Sequence, residues 1–133
     1  MHTLLKKLNW KQQVPTVILH ADAAQLALLD IPAAHPCLLQ VEALQPARFF
    51  IVFAATRQRL EQALSAILPQ AEGDAILWMV YPKKSSALYA GELSRDHGWD
   101  SLRAAGWDTV RQVAFDEDWS ALRFRRLGFI GQS

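Results

Sequence analysis

Lys83, Lys84, Ser85 and Ser86 follow one another directly after the apolar run Ala75 to Tyr81 and Pro82. Two cations and two hydroxyls on a loop that also exposes backbone N–H groups are the inventory that holds a phosphate or a carboxylate. Arg95, Arg123 and Arg125 can fold back towards the same region. The spacing is not that of a P-loop, because the lysines precede the serines and no glycine pair stands before them. The competing reading is a solvated turn whose lysines keep an apolar sheet end in water. An anion site requires Lys83, Ser85 or Ser86, and at least one of Arg95 and Arg123 to converge on one point, since several donors in a desolvated corner outcompete water where scattered ones do not.

A second constellation lies near the C-terminal end. Strand alternation over Ser120 to Arg126 sends Ser120, Leu122, Phe124 and Arg126 to one face and Ala121, Arg123 and Arg125 to the other. Arginines seldom point into a core unpaired, so a structural ion-pair network with Asp116, Glu117, Asp118 or Asp96 is expected. Trp119 beside them can stack on a guanidinium or on a ligand, or simply pack. His20, Asp22, His35 and Cys37 do not form a metal set: His20 ends one strand and Cys37 begins the next, and neither H-x-x-x-H nor C-x-x-C spacing occurs. Cys37 reads as a small buried hydrophobe. Asp96 before His97-Gly98 reads as a helix cap rather than as an acid or base.

The elements that must position these residues alternate between strand and helix. Leu4, Leu5 and Leu8 suggest a short helix ended before Pro15, and Thr16 to His20 a first strand. Asp22 with Gln25 is a near match to a capping box for a helix that stops at Pro32. Cys37 to Val41 is a second strand, and Phe49 to Phe53 a third that is apolar on both faces and therefore central. Thr56 can cap a helix with Leu60, Ala63, Leu64, Ile67 and Leu68 on one stripe. The Ala75 to Tyr81 strand follows, its basic loop lying where ligands collect in open α/β sheets. A helix through Trp99 and Leu102, capped by Ser94 or Asp96, closes at Gly106. Thr109 to Phe115 and Ser120 to Arg126 are too close for anything but an antiparallel hairpin. The link from Glu42 to Arg48 is short for a parallel crossover, so the second strand is expected to be short and parallel at the sheet edge.

The 133 residues make one domain with no linker, repeat or low-complexity segment. Fourteen Lys and Arg against thirteen Asp and Glu give a net charge of +1, so the whole-molecule field selects no polyanion and nucleic acid is disfavoured as a partner. One cysteine excludes an intramolecular disulfide and fits a reducing compartment. Lys6 and Lys7 are not followed by an apolar stretch of a secretory signal, and apolar runs such as Phe49 to Ala55 fall far short of the ~18 residues needed to span a bilayer. A soluble cytoplasmic protein is expected.

A mostly parallel sheet that ends in an antiparallel hairpin resembles the Rossmann-like fold of class I methyltransferases, and implies a three-layer α/β sandwich. Those enzymes follow their first strand with a glycine-rich turn that lets the backbone approach the cofactor. Here the turn is His20-Ala21-Asp22-Ala23-Ala24, whose Cβ atoms crowd that approach. Glu42, at the end of the second strand, stands where the acidic residue of such folds can hold a ribose, but a lone glutamate there reads first as a solvated edge residue. More narrowly, Trp78-x-x-Tyr81-Pro82-Lys83-Lys84-Ser85-Ser86, Arg95-Asp96 and Trp119 to Arg125 resemble a family of short bacterial proteins of uncharacterised function, a likeness that implies the same fold and no assigned activity. The expectation is a binding or interaction domain without catalysis or cofactor, with Lys83, Lys84, Ser85, Ser86, Arg95 and Arg123 holding a small anion; a protein partner is the other candidate. The enzyme alternative is a small S-adenosylmethionine-dependent transferase acting on an anionic nucleotide-like substrate.

Overall fold

A computed structural model describes residues 3–40, 45–89 and 91–130. Val41 and Glu42, which the sequence reading places at the end of the second strand, lie outside the described residues. Ten main elements follow in order: α1 (Thr3–Lys7), β1 (Thr16–Leu19), α2 (Ala23–Leu29), β2 (Cys37–Leu38), β3 (Ala47–Phe53), α3 (Arg57–Ile67), β4 (Ala71–Pro82), α4 (Asp100–Ala104), β5 (Trp107–Ala114) and β6 (Trp119–Arg126). Short 3-10 turns follow α3 and β6.

The six strands form one sheet in the order β2-β1-β3-β4-β6-β5. The first four run parallel, and β6 joins β4 and β5 antiparallel, so the sheet is mixed with its hairpin at one edge. β3 and β4 lie side by side at the centre, as their two-faced apolarity requires. On β4, Ala75, Leu77, Met79 and Tyr81 enter one core, while Ile76, Trp78 and Val80 enter the other. The first core is closed by Leu60, Ala63, Leu64 and Ile67 of α3, which recur at helical spacing, and by Trp99 and Leu102. The second is closed by Leu5 and Leu8 beside α1 and by Leu29 of α2. Three layers result. The buried Trp78 ring ties sheet to helix layer by donating its indole N–H to the Leu8 carbonyl at 2.7 Å, which satisfies a polar group that burial would otherwise strand.

Local chemistry sets the boundaries. Asp22 caps α2 by accepting from the Gln25 N–H, and the Gln25 side chain accepts from the Asp22 N–H in return. Thr56 caps α3 by accepting from the Arg59 N–H. The short link after β2 is possible because β2 is two residues long and parallel at the sheet edge, leaving little length to retrace. One helix start differs from expectation: α4 begins at Asp100, and its N-cap Trp99 makes no side-chain cap bond. Ser94 and His97 exchange backbone bonds across a tight turn, followed by Gly98 at φ 101°, so α4 starts beyond both residues expected to cap it. No helix among the described residues is long and apolar enough to cross a membrane.

Candidate functional site

β4 ends at Pro82, which cannot donate to a further ladder bond, and the chain turns there into the Lys83–Ser86 loop. Two bonds to the β5–β6 turn fix this loop: the Lys83 N–H donates to the Asp118 carbonyl at 2.8 Å, and the Ser86 hydroxyl donates to the Asp118 carboxylate at 2.9 Å. The Ser94–His97 turn approaches from the other side. It is held by the buried Trp99, whose indole N–H donates to the Ser94 carbonyl at 2.7 Å while its ring packs edge-on against Tyr81 and tilted against Phe124.

Between the two loops lies a pocket of about 300 Å³ lined by Tyr81, Lys83, Lys84, Ser94, Arg95, Asp96, Gln112 and Ser120. Its floor is polar but uncharged. The Gln112 amide donates to the Tyr81 hydroxyl at 2.7 Å and to the Ser120 hydroxyl at 3.2 Å. Burial pushes the Tyr81 phenol above its ordinary pKa, against the pull of its hydrogen bonds to Ser120 and Gln112 and of the Arg95 charge, so Tyr81 stays a neutral donor at physiological pH. Among the described residues, no ion pair or hydrogen bond holds the cationic heads of Lys83, Lys84 and Arg95.

Of the six residues expected to converge, the structure brings Lys83, Lys84 and Arg95 to this pocket. Ser85 is exposed and Ser86 is committed to Asp118 and to the Leu88 N–H, so neither lines it. Arg123 stands on the opposite face of the sheet. It pairs with Trp78 across the β4–β6 ladder, between Leu122 and Phe124, which face the first core. The expected ion-pair network also differs. Arg125 makes a bidentate pair with Asp74 at 2.6 and 2.8 Å, and its guanidinium holds the Asp74 carboxyl below its ordinary pKa. Arg123 has a buried Nε without a hydrogen-bond partner among the described residues. Burial, then the Arg125 charge, draws its pKa down while Asp74 raises it. The turn carboxylates serve the turn: Asp116 accepts from the N–H groups of Asp118 and Trp119.

Sequence reasoning missed Tyr81, Ser94, Gln112 and Ser120 as lining residues. It also missed a second cleft. About 440 Å³ in size, this cleft is lined by His20, Ala21, Asp22, Phe53, Ala55, Thr56, Arg59 and Trp119, at the carboxyl ends of β1 and β3, where the strand order reverses and ligands of open α/β sheets gather. The turn after the first strand was the signal that could have revealed it. His20 there has φ 67°, a left-handed conformation that favours glycine. Its Nδ1 lies 3.3 Å from Nη1 of Arg59, and burial, reinforced by the Arg59 charge, lowers its pKa, so the imidazole is neutral at physiological pH and accepts from the guanidinium. His35 bonds Thr16 and the Gln13 carbonyl far from His20, and among the described residues no group of three His, Cys, Asp or Glu is arranged to hold a metal.

Comparison with solved structures assigns the fold. The N-methyltransferase NodS from Bradyrhizobium japonicum WM9 aligns over 94% of this chain and 93% of its own with a TM-score of 0.56 at 13% identity. LepI in complex with SAM aligns over 94% of this chain with a TM-score of 0.51 at 14% identity, and this chain spans 40% of its length. A Methanococcus jannaschii fibrillarin pre-rRNA processing protein matches more loosely, with a TM-score of 0.49 at 13% identity over 82% of this chain, which spans 54% of the fibrillarin. At these identities the likeness establishes a Rossmann-like, methyltransferase-like fold. No protein-family model matches the chain, so the narrower resemblance to a bacterial family has no such support. No curated protein matches it in sequence.

Proposed function

We propose that this chain is a binding domain without catalysis, which holds a small phosphate- or carboxylate-bearing ligand at the carboxyl edge of a methyltransferase-like sheet. One observation carries this reading: Lys83, Lys84 and Arg95, from two separately anchored loops, line one pocket over a floor of neutral hydroxyl and amide groups. Three cations face a single carboxylate, Asp96, in that lining. Exposed charges alone hold an ion weakly, by about 0–1 kcal/mol per pair. Selectivity therefore rests on the buried Tyr81 and Ser120 and on Gln112 bonded to both, which can direct hydrogen bonds at an oxyanion that the lysines and arginine neutralise. Titration calorimetry with orthophosphate tests it. Lys83→Ala and Arg95→Ala are each expected to weaken binding about tenfold without lowering the melting temperature. Unchanged affinity in both variants would return the loop to a purely solubilising role.

A second reading is a small S-adenosylmethionine-dependent transferase acting on an anionic nucleotide-like substrate, with Lys83 or Lys84 stabilising charge and Asp96 as base. The fold comparisons support it better than they support a non-catalytic domain, since NodS is an N-methyltransferase and LepI was solved with SAM. The cleft at the sheet's switch point is where a cofactor would be sought. The first turn weighs against it. His20 raises a side chain where a glycine would let the backbone approach the cofactor, and one oxygen of Asp22 is spent on capping α2. Thermal-shift screening separates the readings: stabilisation by S-adenosylmethionine favours the transferase, stabilisation by phosphate alone the binding domain, and silence throughout a protein-interaction role.

A further inference from the structure

We infer that the cleft at the ends of β1 and β3 takes the phosphate and aromatic ring of a nucleoside-monophosphate-type ligand in place of S-adenosylmethionine. The inference concerns a site separate from the Lys83 pocket and stands or falls without it.

The cation comes first. Arg59 lies in the first turn of α3, a turn with no acidic residue, although a helix N-terminus favours acids and disfavours arginines. The helix dipole does not favour this placement. Nor is Arg59 consumed by an ion pair among the described residues: Nη1 meets His20 Nδ1, and Asp22, the carboxylate lining the same cleft, does not come within ion-pair distance. The guanidinium is thus held at one nitrogen by a neutral imidazole and presents the rest of its donor fork, the geometry that suits phosphate oxygens.

The turn comes second. His20 occupies a left-handed backbone conformation that costs a side-chain-bearing residue free energy, in a turn where glycine would fit without strain. What the strain yields is an imidazole raised into the cleft and aimed at Arg59. With Nδ1 accepting from Arg59, the neutral imidazole carries its proton on Nε2 and offers that N–H as a second donor to a phosphate oxygen. The charged groups facing it are Arg59 and Asp22.

The wall comes third. Phe53, at the end of β3, is buried and meets the half-buried Trp119 edge to face, with ring centroids 5.9 Å apart. Both line the cleft, giving it an apolar side on which a planar base can lie without sequence-specific hydrogen bonds. A phosphate-binding corner beside an aromatic wall suits a mononucleotide better than bare phosphate.

Calorimetry on the full chain with adenosine 5′-monophosphate, adenosine, orthophosphate and S-adenosylmethionine provides the test. The monophosphate is expected to bind at least about tenfold more tightly than adenosine, and S-adenosylmethionine more weakly than the monophosphate. Arg59→Ala, an exposed position whose folding is checked by its melting temperature, is expected to weaken the monophosphate at least about tenfold. Lys83→Ala is expected to leave it unchanged. Absence of monophosphate binding, tighter binding of S-adenosylmethionine, or a loss that follows Lys83→Ala and spares Arg59→Ala would each overturn the inference. Failure of both Lys83→Ala and Arg95→Ala to alter orthophosphate binding would sink the Lys83 pocket alone.

Discussion

The two ends of β4 use cations differently. At the amino end, Arg125 is locked bidentately to Asp74, and Arg126 donates to the carbonyls of Gly73 and Ala71 at 2.6 and 2.7 Å while its guanidinium lies over the Trp107 ring. At the carboxyl end, Lys83, Lys84 and Arg95 surround a pocket with no such partners among the described residues, and Arg59 in the neighbouring cleft is met only by a neutral histidine. A cation that folds the chain is satisfied by the chain. One that is placed, anchored through its backbone and left with donors to spare is the kind that meets a ligand. The contrast is the reason the proposed ligand sites lie at the carboxyl edge of the sheet and not at the arginine-rich hairpin.

The sharpest way to break that contrast is Gly98→Ala. Gly98 sits at φ 101°, and an added Cβ would lie 2.8 Å from the Glu92 carbonyl oxygen, a backbone atom that cannot swing away. Strain of about 1–3 kcal/mol, with the clash in addition, is expected to displace the Ser94–His97 turn and with it Arg95. Both chemical denaturation and phosphate titration should register the change; a variant that loses stability while keeping full phosphate affinity would remove Arg95 from the site.

Arg126→Ala addresses the other end. It deletes two charge-assisted bonds to backbone carbonyls and the contact with Trp107, so a loss of roughly 1–2 kcal/mol in denaturant unfolding is expected, with phosphate affinity untouched. Weakened phosphate binding in this variant would show that the two ends are not separable.

The sequence carried the framework of this arrangement because periodicity and composition report burial directly. The two-faced apolarity of Phe49–Phe53 and Ala75–Tyr81 located the central strands, and the Asp22–Gln25 and Thr56 caps located two helices. What it could not convey was which distant residues meet. Lys83 follows β4 at its carboxyl end, whereas Arg123 lies in the middle of β6, paired with Trp78 on the far face; alternation separates Arg123 from Ser120, but which of the two faces meets the basic loop is invisible without the partner strand. Gln112 and Ser120 are unremarkable polar residues until the β5–β6 hairpin aligns them beside Tyr81. Asp96 resembled a cap because local spacing allowed it, and the Ser94–His97 bridge took the turn instead.

The smallest effect separates the two ends by pH. At the carboxyl end, the fold lowers the pKa of His20 from its ordinary value of 6.5, chiefly by burial, so the folded state prefers the neutral ring. The unfolded chain therefore binds its proton first as pH falls. Stability from this group is complete above pH 6.5 and declines below it until the folded value is passed. At the amino end, Arg125 lowers the Asp74 pKa from 3.8. The folded state there prefers the anion, its contribution is complete above the unfolded pKa, and it is lost as pH falls through the folded value. The two losses thus begin in different windows, that of His20 first. Denaturant unfolding from about pH 8 to about pH 3, compared with His20→Gln and Asp74→Asn, isolates each step, because all other titrating groups cancel in the differences. His20→Gln is expected to flatten the limb that begins near pH 6.5 and leave the acid limb, and Asp74→Asn to do the reverse. A His20→Gln curve parallel to the wild type would mean that the imidazole titrates as freely in the fold as outside it, and that its contact with Arg59 exerts no hold on its proton.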